Sequence, residues 1–141
     1  MKVAFGRLFG VVVVAVISTV AIGAVTALAV TLGSGTVKVA MKEWGFAPTP
    51  VKVNAGKVTF VVKNAGKLKH EFLVLRTKTP ANKLPVKGTT AVVRGLVGRI
   101  NRFKGGLTKT LTLTLKPGHY VLLCNLPAHY QVGQRVDFTV G

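Results

Sequence analysis

Side chains that bind metal ions lie close together near the C-terminal end of the sequence. Cys124 is followed by His129 and then by Gln134, and His70 lies far upstream. A soft thiolate and two imidazoles form a trigonal site suited to copper, which a weak axial ligand completes, either a thioether, a glutamine or a backbone oxygen. This set of residues predicts a single copper ion that alternates between Cu(I) and Cu(II).

A nucleophilic role for the cysteine is the competing interpretation. Cys124 with His129 could form a thiolate–imidazolium pair, as in cysteine hydrolases. The sequence, however, shows neither a convincing orienting carboxylate nor an oxyanion-hole pattern. His70 would also have no role in such an enzyme. The metal interpretation is therefore preferred, and no enzymatic activity is expected.

Composition excludes several other classes of protein. The 141 residues suit one domain, and 49% of them are hydrophobic despite a net charge of +17, which argues against a disordered polycation. The single cysteine excludes an intramolecular disulfide and a four-cysteine zinc site. Only three residues are acidic, so paired-carboxylate hydrolysis and oxygen-ligated calcium or magnesium cages are also poorly supported.

The first 32 residues have the pattern of an export segment. Lys2 and Arg7 precede an uncharged apolar run over residues 8–32. This run can act as a cleaved signal peptide, with a small-x-small site at residues 27–29, or stay as an N-terminal membrane anchor, because about 20 apolar residues span a bilayer. In both cases the remainder is expected outside the cytoplasm, in the periplasm, on the outer face of the membrane or secreted.

The rest of the sequence has the two-residue period of β-strands. After a short linker at 33–36, apolar and polar residues alternate near 37–41, 110–115 and 135–140, and further strands are expected at 51–53, 57–63, 70–76 and 120–124. Turn signals such as residues 64–66 separate them. Only residues 89–100 suggest a short helix or an irregular strand. The pattern predicts an antiparallel β-sandwich over residues 37–141.

The sequence resembles the cupredoxins, the small type 1 blue copper proteins, over nearly all of 37–141. The resemblance rests on Trp-Gly-Phe-Ala-Pro at 44–48, on His-Glu-Phe at 70–72, and on the closing segment 115–130 that contains the cysteine and second histidine. It implies an all-β Greek-key sandwich that binds copper through His70, Cys124 and His129. Gln134 stands where the family usually places an axial methionine.

The resemblance implies an electron carrier rather than an enzyme. One electron would pass without a bound substrate, through the edge of His129 and an apolar surface formed with Leu126, Pro127, Ala128 and Tyr130. Two alternatives remain open, which are a copper carrier or storage protein and an accessory domain of a membrane-bound oxidase.

The positive charge of the sequence indicates which kinds of partner the protein binds. Lys2 and Arg7 account for two of the 17 net charges, which leaves +15 on the expected extracytoplasmic domain. No nucleic-acid-binding module or stacking platform is evident, so nucleic acid is not expected as a partner. An acidic redox protein or an anionic membrane or envelope surface is expected instead, with the protein acting as a monomer.

Overall fold

The computed structural model describes residues 35–141, and the predicted signal or anchor over residues 1–32 lies outside that range. Within it the chain forms strands and one short 3₁₀ helix at Ala81–Lys83. No helix in this part of the chain is long and apolar enough to cross a membrane. The strands are β1 Gly35–Lys42, β2 Gly45–Thr49, β3 Lys52–Val53, β4 Gly56–Asn64, β5 His70–Arg76, β6 Val86–Lys87, β7 Thr90–Ala91, β8 Leu96–Phe103, β9 Thr108–Leu115, β10 Gly118–Leu123 and β11 Arg135–Val140.

Two sheets enclose the main core. One has the order β2-β1-β4-β9 and the other the order β3-β11-β10-β5-β8, while β6 and β7 form a separate ribbon. Phe60 of β4 contacts Phe72 and Phe138 of the second sheet, with ring centroids 5.4 and 5.6 Å apart. The alternating apolar residues predicted from the sequence supply this core, since Val37, Val39 and other inward-facing residues of β1 are fully buried.

The sheets are mixed, which corrects the expected purely antiparallel pairing. β1 runs parallel to β4, and β11 runs parallel to β3. Parallel neighbours require a crossover connection, and here β2 and β3 lie between β1 and β4 along the chain. The two-residue period is the same for either pairing direction, so it could not have distinguished them. Residues 35 and 36, expected in the linker, belong to β1.

The segment between β5 and β8 forms a second, smaller core. Ala81, Leu84 and Ala91 pack over Leu73 and Leu75 on the outer face of β5. All but the last residue of β5 are consequently buried, which explains the unbroken apolar run over residues 72–75. Of the two alternatives predicted for residues 89–100, a short helix or an irregular strand, the structure shows strand: the short β7 and the start of β8, whose pairing with β5 has two register shifts.

Strand order brings several chain segments to one end of the sandwich. β5 begins at His70 beside the end of β10, its antiparallel neighbour, and Cys124 follows β10 directly. β11 is antiparallel to β10 and begins at Arg135, directly after Gln134. The residues singled out from the sequence therefore meet where these three strands begin or end.

Candidate metal centre

The four predicted ligands lie together at this end of the sandwich. His129 Nδ1 lies 3.2 Å from His70 Nδ1, 3.3 Å from Cys124 Sγ and 2.9 Å from Gln134 Oε1. Cys124 Sγ and His70 Nδ1 are 4.0 Å apart. Among residues 35–141, the ligand atoms of His70, Cys124 and His129 lie close enough to one another to hold a metal ion together.

The spacing and chemistry of these atoms fit a bound metal. An ion held by nitrogen and sulfur at roughly 2.0–2.3 Å keeps its ligands about 3–4 Å from one another. The separations of 3.2 to 4.0 Å among the two imidazoles and the thiol agree with that geometry. Imidazole nitrogens and a thiolate in one cluster are the donor set that copper prefers.

The centre is enclosed except at one histidine. His70, Cys124 and Gln134 are fully buried, whereas His129 is partly exposed. Three donors are thus shielded from water and from external reagents. The imidazole of His129 is the donor through which the cluster reaches the protein surface.

Burial keeps the cysteine in its neutral form before metal arrives. Desolvation raises the pKa of Cys124, and hydrogen bonding from the backbone only partly opposes this effect. The backbone N–H of Glu71 points at the sulfur, with N and Sγ 3.5 Å apart. Because the thiolate is the form that binds metal, this N–H is placed to stabilise the charged sulfur once the proton has left.

Hydrogen bonds within the C-terminal loop hold the ligands in place. His129 N donates to Leu126 O, Gln134 N donates to His129 O, and Cys124 N donates to Gln134 O, at 3.0 to 3.1 Å. The side chain of Asn125 accepts from Ala91 N at 2.7 Å and donates to Ala91 O at 3.0 Å. Asn125 therefore links the loop that follows the cysteine to β7.

Glu71 supports the same loop from the neighbouring strand. Its carboxylate accepts from Asn125 N at 3.2 Å and from the Arg99 guanidinium at 3.0 Å. The side chain is buried, and the hydrogen bond at His70 Nε2 goes to Glu43 rather than to Glu71. Glu71 therefore fixes the backbone next to the cysteine rather than the orientation of an imidazole.

Gln134 presents its amide oxygen to the cluster. Its Nε2 donates to Lys42 O at 3.2 Å, which fixes which end of the amide carries oxygen. Oε1 then faces His129 Nδ1. The amide oxygen of Gln134 thus lies beside the cluster, within 2.9 Å of His129 Nδ1, and its binding to metal stays a prediction.

Glu43 is a member of this region that the sequence did not reveal. It directly follows β1, and its Oε1 lies 3.0 Å from His70 Nε2. The same oxygen accepts from Lys67 N at 2.9 Å and from Leu68 N at 2.7 Å. The hydrogen bond from Leu68, followed by that from His70, lowers the pKa of Glu43 from 4.5 to about 2. Glu43 is thus ionised at neutral pH.

Trp44 is the second residue that the sequence did not connect with the site. Its ring stands edge-on to those of His129 and His70, with centroids 5.1 and 6.3 Å apart. It is 45% exposed, so it forms surface next to the partly exposed ligand. A usable signal existed, because Glu43 is one of three acidic residues in a basic chain and both residues follow a predicted strand.

Two further aromatic or titratable residues lie away from the metal cluster. Tyr130, expected on the surface beside His129, is buried, and its hydroxyl accepts from Leu84 N and donates to Ala81 O. His119 is bonded at both ring nitrogens, to Thr77 O at 2.7 Å and to Asp137 at 2.8 Å. It lies near the start of β10, the opposite end of the strand from Cys124.

Comparison with known families gives one match that covers most of the chain. A family model described as a cupredoxin-like domain matches residues 11–135. No curated protein sequence matches the chain significantly.

Solved structures share the fold at low sequence identity. Reduced auracyanin from Roseiflexus castenholzii is 22% identical, with 75% of this chain and 96% of that chain covered and a TM-score of 0.59. Auracyanin A, a "blue" copper protein from Chloroflexus aurantiacus, is 22% identical, with 77% and 100% covered and a TM-score of 0.58. Rusticyanin from Thiobacillus ferrooxidans is 19% identical, with 75% and 77% covered and a TM-score of 0.53.

Proposed function

Because the chain belongs to the cupredoxin family, we propose that it binds one copper ion and carries single electrons between redox partners outside the cytoplasm. The observation that carries this proposal is the enclosed cluster of His70, Cys124 and His129, of which only His129 reaches the surface. Copper held there would supply a reversible one-electron couple. No substrate site is required, and no catalytic role is proposed.

The protein's own part in electron transfer is to hold its ligands still. The ladder between β10 and β11 and the hydrogen bonds within residues 124–134 fix the loop that carries three of the four ligands. Glu71 and Asn125 tie this loop to neighbouring segments. Ligands that cannot move keep the same geometry in both oxidation states, which lowers the rearrangement needed for each transfer.

An apolar surface around His129 would form the contact with a partner. Trp44 contacts the imidazole, and Pro127, Ala128 and Val132 of the same loop are exposed, Val132 by 52%. We call Trp44, Pro127, Ala128 and Val132 the port face. An apolar contact at this position would bring a partner's redox centre close to the partly exposed ligand.

The charge of the molecule favours an acidic partner. Residues 35–141 carry 18 basic and three acidic side chains once Lys2 and Arg7 are set aside. Each of the three carboxylates within this range lies within hydrogen-bond distance of a histidine or an arginine of the same protein. An acidic protein would be steered toward such a surface. Export by residues 1–32, either cleaved or retained as an anchor, would place the domain beside such partners or an anionic envelope.

Copper reconstitution tests the proposal. The protein loaded with Cu(II) should show an intense visible thiolate-to-copper band, a type 1 paramagnetic resonance spectrum and one reversible couple in a redox titration. Cys124→Ser should abolish the band. His119→Ala, which alters a histidine outside the cluster, should retain it. A colourless wild-type protein, or a band that survives Cys124→Ser, would contradict the proposal.

A chelator distinguishes electron transfer from copper delivery. A copper carrier must release its ion, whereas the burial of His70, Cys124 and Gln134 favours retention. Retention of the visible band through repeated reduction and oxidation in the presence of a chelator is expected for an electron carrier. Rapid loss of copper on reduction would indicate copper handling instead.

A further inference from the structure

Glu43 occupies the side of His70 that faces away from the cluster. His70 directs Nδ1 at His129 Nδ1 and Cys124 Sγ, while Nε2 meets Glu43 Oε1 at 3.0 Å. His70 is completely buried, so no water competes for Nε2. The two nitrogens of one ring are thus assigned to different partners.

The hydrogen-bond chemistry of this pair determines where the proton lies. An ionised carboxylate can only accept, so Nε2 must donate. A neutral imidazole with its proton on Nε2 keeps the lone pair on Nδ1. The nitrogen that faces His129 and Cys124 is therefore the one free to bind a metal.

Glu43 is itself held in position by the turn before β5. Lys67 N and Leu68 N both donate to Oε1. Gly66 makes room for the carboxylate, because a Cβ at this position would overlap Glu43 Oε1. Two backbone hydrogen bonds and the close approach of Gly66 therefore hold the carboxylate in place, with its side chain 25% exposed.

From this geometry we infer that Glu43 is a positioning residue for the copper, acting through His70. It selects the His70 tautomer that offers Nδ1 to the metal, and its negative charge next to a ligand favours Cu(II) over Cu(I). The inference rests on the proposed function, since it concerns the same site. It adds a determinant of the reduction potential that lies outside the four predicted ligands.

Two substitutions separate the effects of charge and hydrogen bonding. Glu43→Gln removes the charge but keeps an oxygen that can accept from Nε2, whereas Glu43→Leu removes both. In copper-loaded protein, both should shift the equilibrium toward Cu(I) by about tenfold, which is about 59 mV for a one-electron couple. In copper-free protein, ¹⁵N NMR should show a single His70 tautomer in the wild type and mixed tautomers in Glu43→Leu.

The chain offers a matched control at the other end of β10. Asp137 also pairs with an imidazole, with Oδ1 2.8 Å from His119 Nε2. His119 and Cys124 are separated by about 16 Å along an extended strand. Asp137→Asn removes the same charge from the same kind of pair, and it should leave the potential and the His70 tautomer unchanged.

Gly66→Ala provides a test that keeps the carboxylate. The added methyl group would displace Glu43 Oε1, so the potential should rise and the tautomers should mix as in Glu43→Leu. A wild-type potential in Glu43→Gln and Glu43→Leu, a shift equalled by Asp137→Asn, or a single tautomer in both Glu43→Leu and Gly66→Ala would overturn the inference. A wild-type protein without a visible band or reversible couple would contradict the proposed function instead.

Discussion

The indole of Trp44 stands nearly perpendicular to the imidazole of His129, with ring centroids 5.1 Å apart and an interplanar angle of 82°. This edge-to-face contact joins the one partly exposed ligand of the cluster to a half-exposed aromatic ring. Trp44, which follows β1, thus joins a surface whose other residues, Pro127, Ala128 and Val132, lie in the loop after β10.

Trp44→Ala should slow electron exchange with a protein partner. Loss of a central aromatic contact costs about 1–2 kcal/mol in interfaces of this kind, or about 5- to 30-fold in the second-order rate constant. The visible band should persist, because Trp44 supplies no ligand. Val51→Ala, which alters an exposed apolar residue attached to β11 near Thr139, is the control for stopped-flow measurements. Equal rate constants for the wild type, Trp44→Ala and Val51→Ala would show that Trp44 does not contribute to the contact with the partner.

Gln134→Met should raise the midpoint potential. An amide oxygen is a harder ligand than a thioether and favours Cu(II), so replacing it should favour Cu(I). A shift of about 59 mV or more corresponds to at least a tenfold change in the equilibrium constant. Redox titration of the two copper-loaded proteins measures it. An unchanged or lowered potential would contradict axial binding by Gln134.

Copper binding should release a proton from the cysteine. Burial raises the pKa of Cys124, so the thiol is protonated at neutral pH in copper-free protein and must lose its proton to bind metal. Apparent affinity should therefore rise with pH up to that raised pKa. Calorimetry in buffers of different ionisation enthalpy should show that copper binding releases about one more proton from the wild-type protein than from Cys124→Ser. Equal proton release by both proteins would show that the thiol is not a ligand.

Glu43 should stabilise copper-free protein in a defined range of pH. Its pKa is about 2 in the folded state, against an ordinary value of 4.5. The unfolded chain therefore binds more protons between these values, so the stabilisation is fully present above about 4.5 and is lost as pH falls toward 2. Chemical denaturation at pH 6 and pH 3 should show a smaller loss of unfolding free energy in Glu43→Gln than in wild type. Parallel losses would be inconsistent with the lowered pKa.

Electron transfer to an acidic partner should weaken as salt increases. The described residues carry a large excess of basic side chains, and their attraction to a negative protein is screened over about 10 Å at 0.1 M salt. Rate constants measured from 10 to 500 mM salt should fall steeply for an acidic acceptor and change little for a neutral one. A rate that rises with salt would indicate a basic partner.

The residues that share one chain segment or one strand end were the easiest to predict. Cys124, His129 and Gln134 follow a single strand, and His70 begins a strand whose apolar run marked its start. Alternation in β1, β9 and β11 also revealed which faces enter the core.

Features that depend on distant parts of the chain could not be predicted in the same way. Pairing of β1 with β4 depends on a crossover that leaves no trace in either strand's own pattern. Glu43 reaches His70 from the other sheet. The scarcity of acidic residues could mark Glu43 as a candidate, but it does not indicate which residue Glu43 contacts. Tyr130 belongs to the second, smaller core because residues 77–93 cover the outer face of β5. Only the folded structure shows this covering.

The order of the ligands along the chain has a consequence for biosynthesis. His70 is made and, if the protein is exported from its N-terminus, translocated well before Cys124, His129 and Gln134. A partly emerged chain therefore has one imidazole of the cluster and no thiol. The complete set of predicted ligands exists only once translation has passed Gln134, and β10 must pair with β5 before Cys124 lies beside His70.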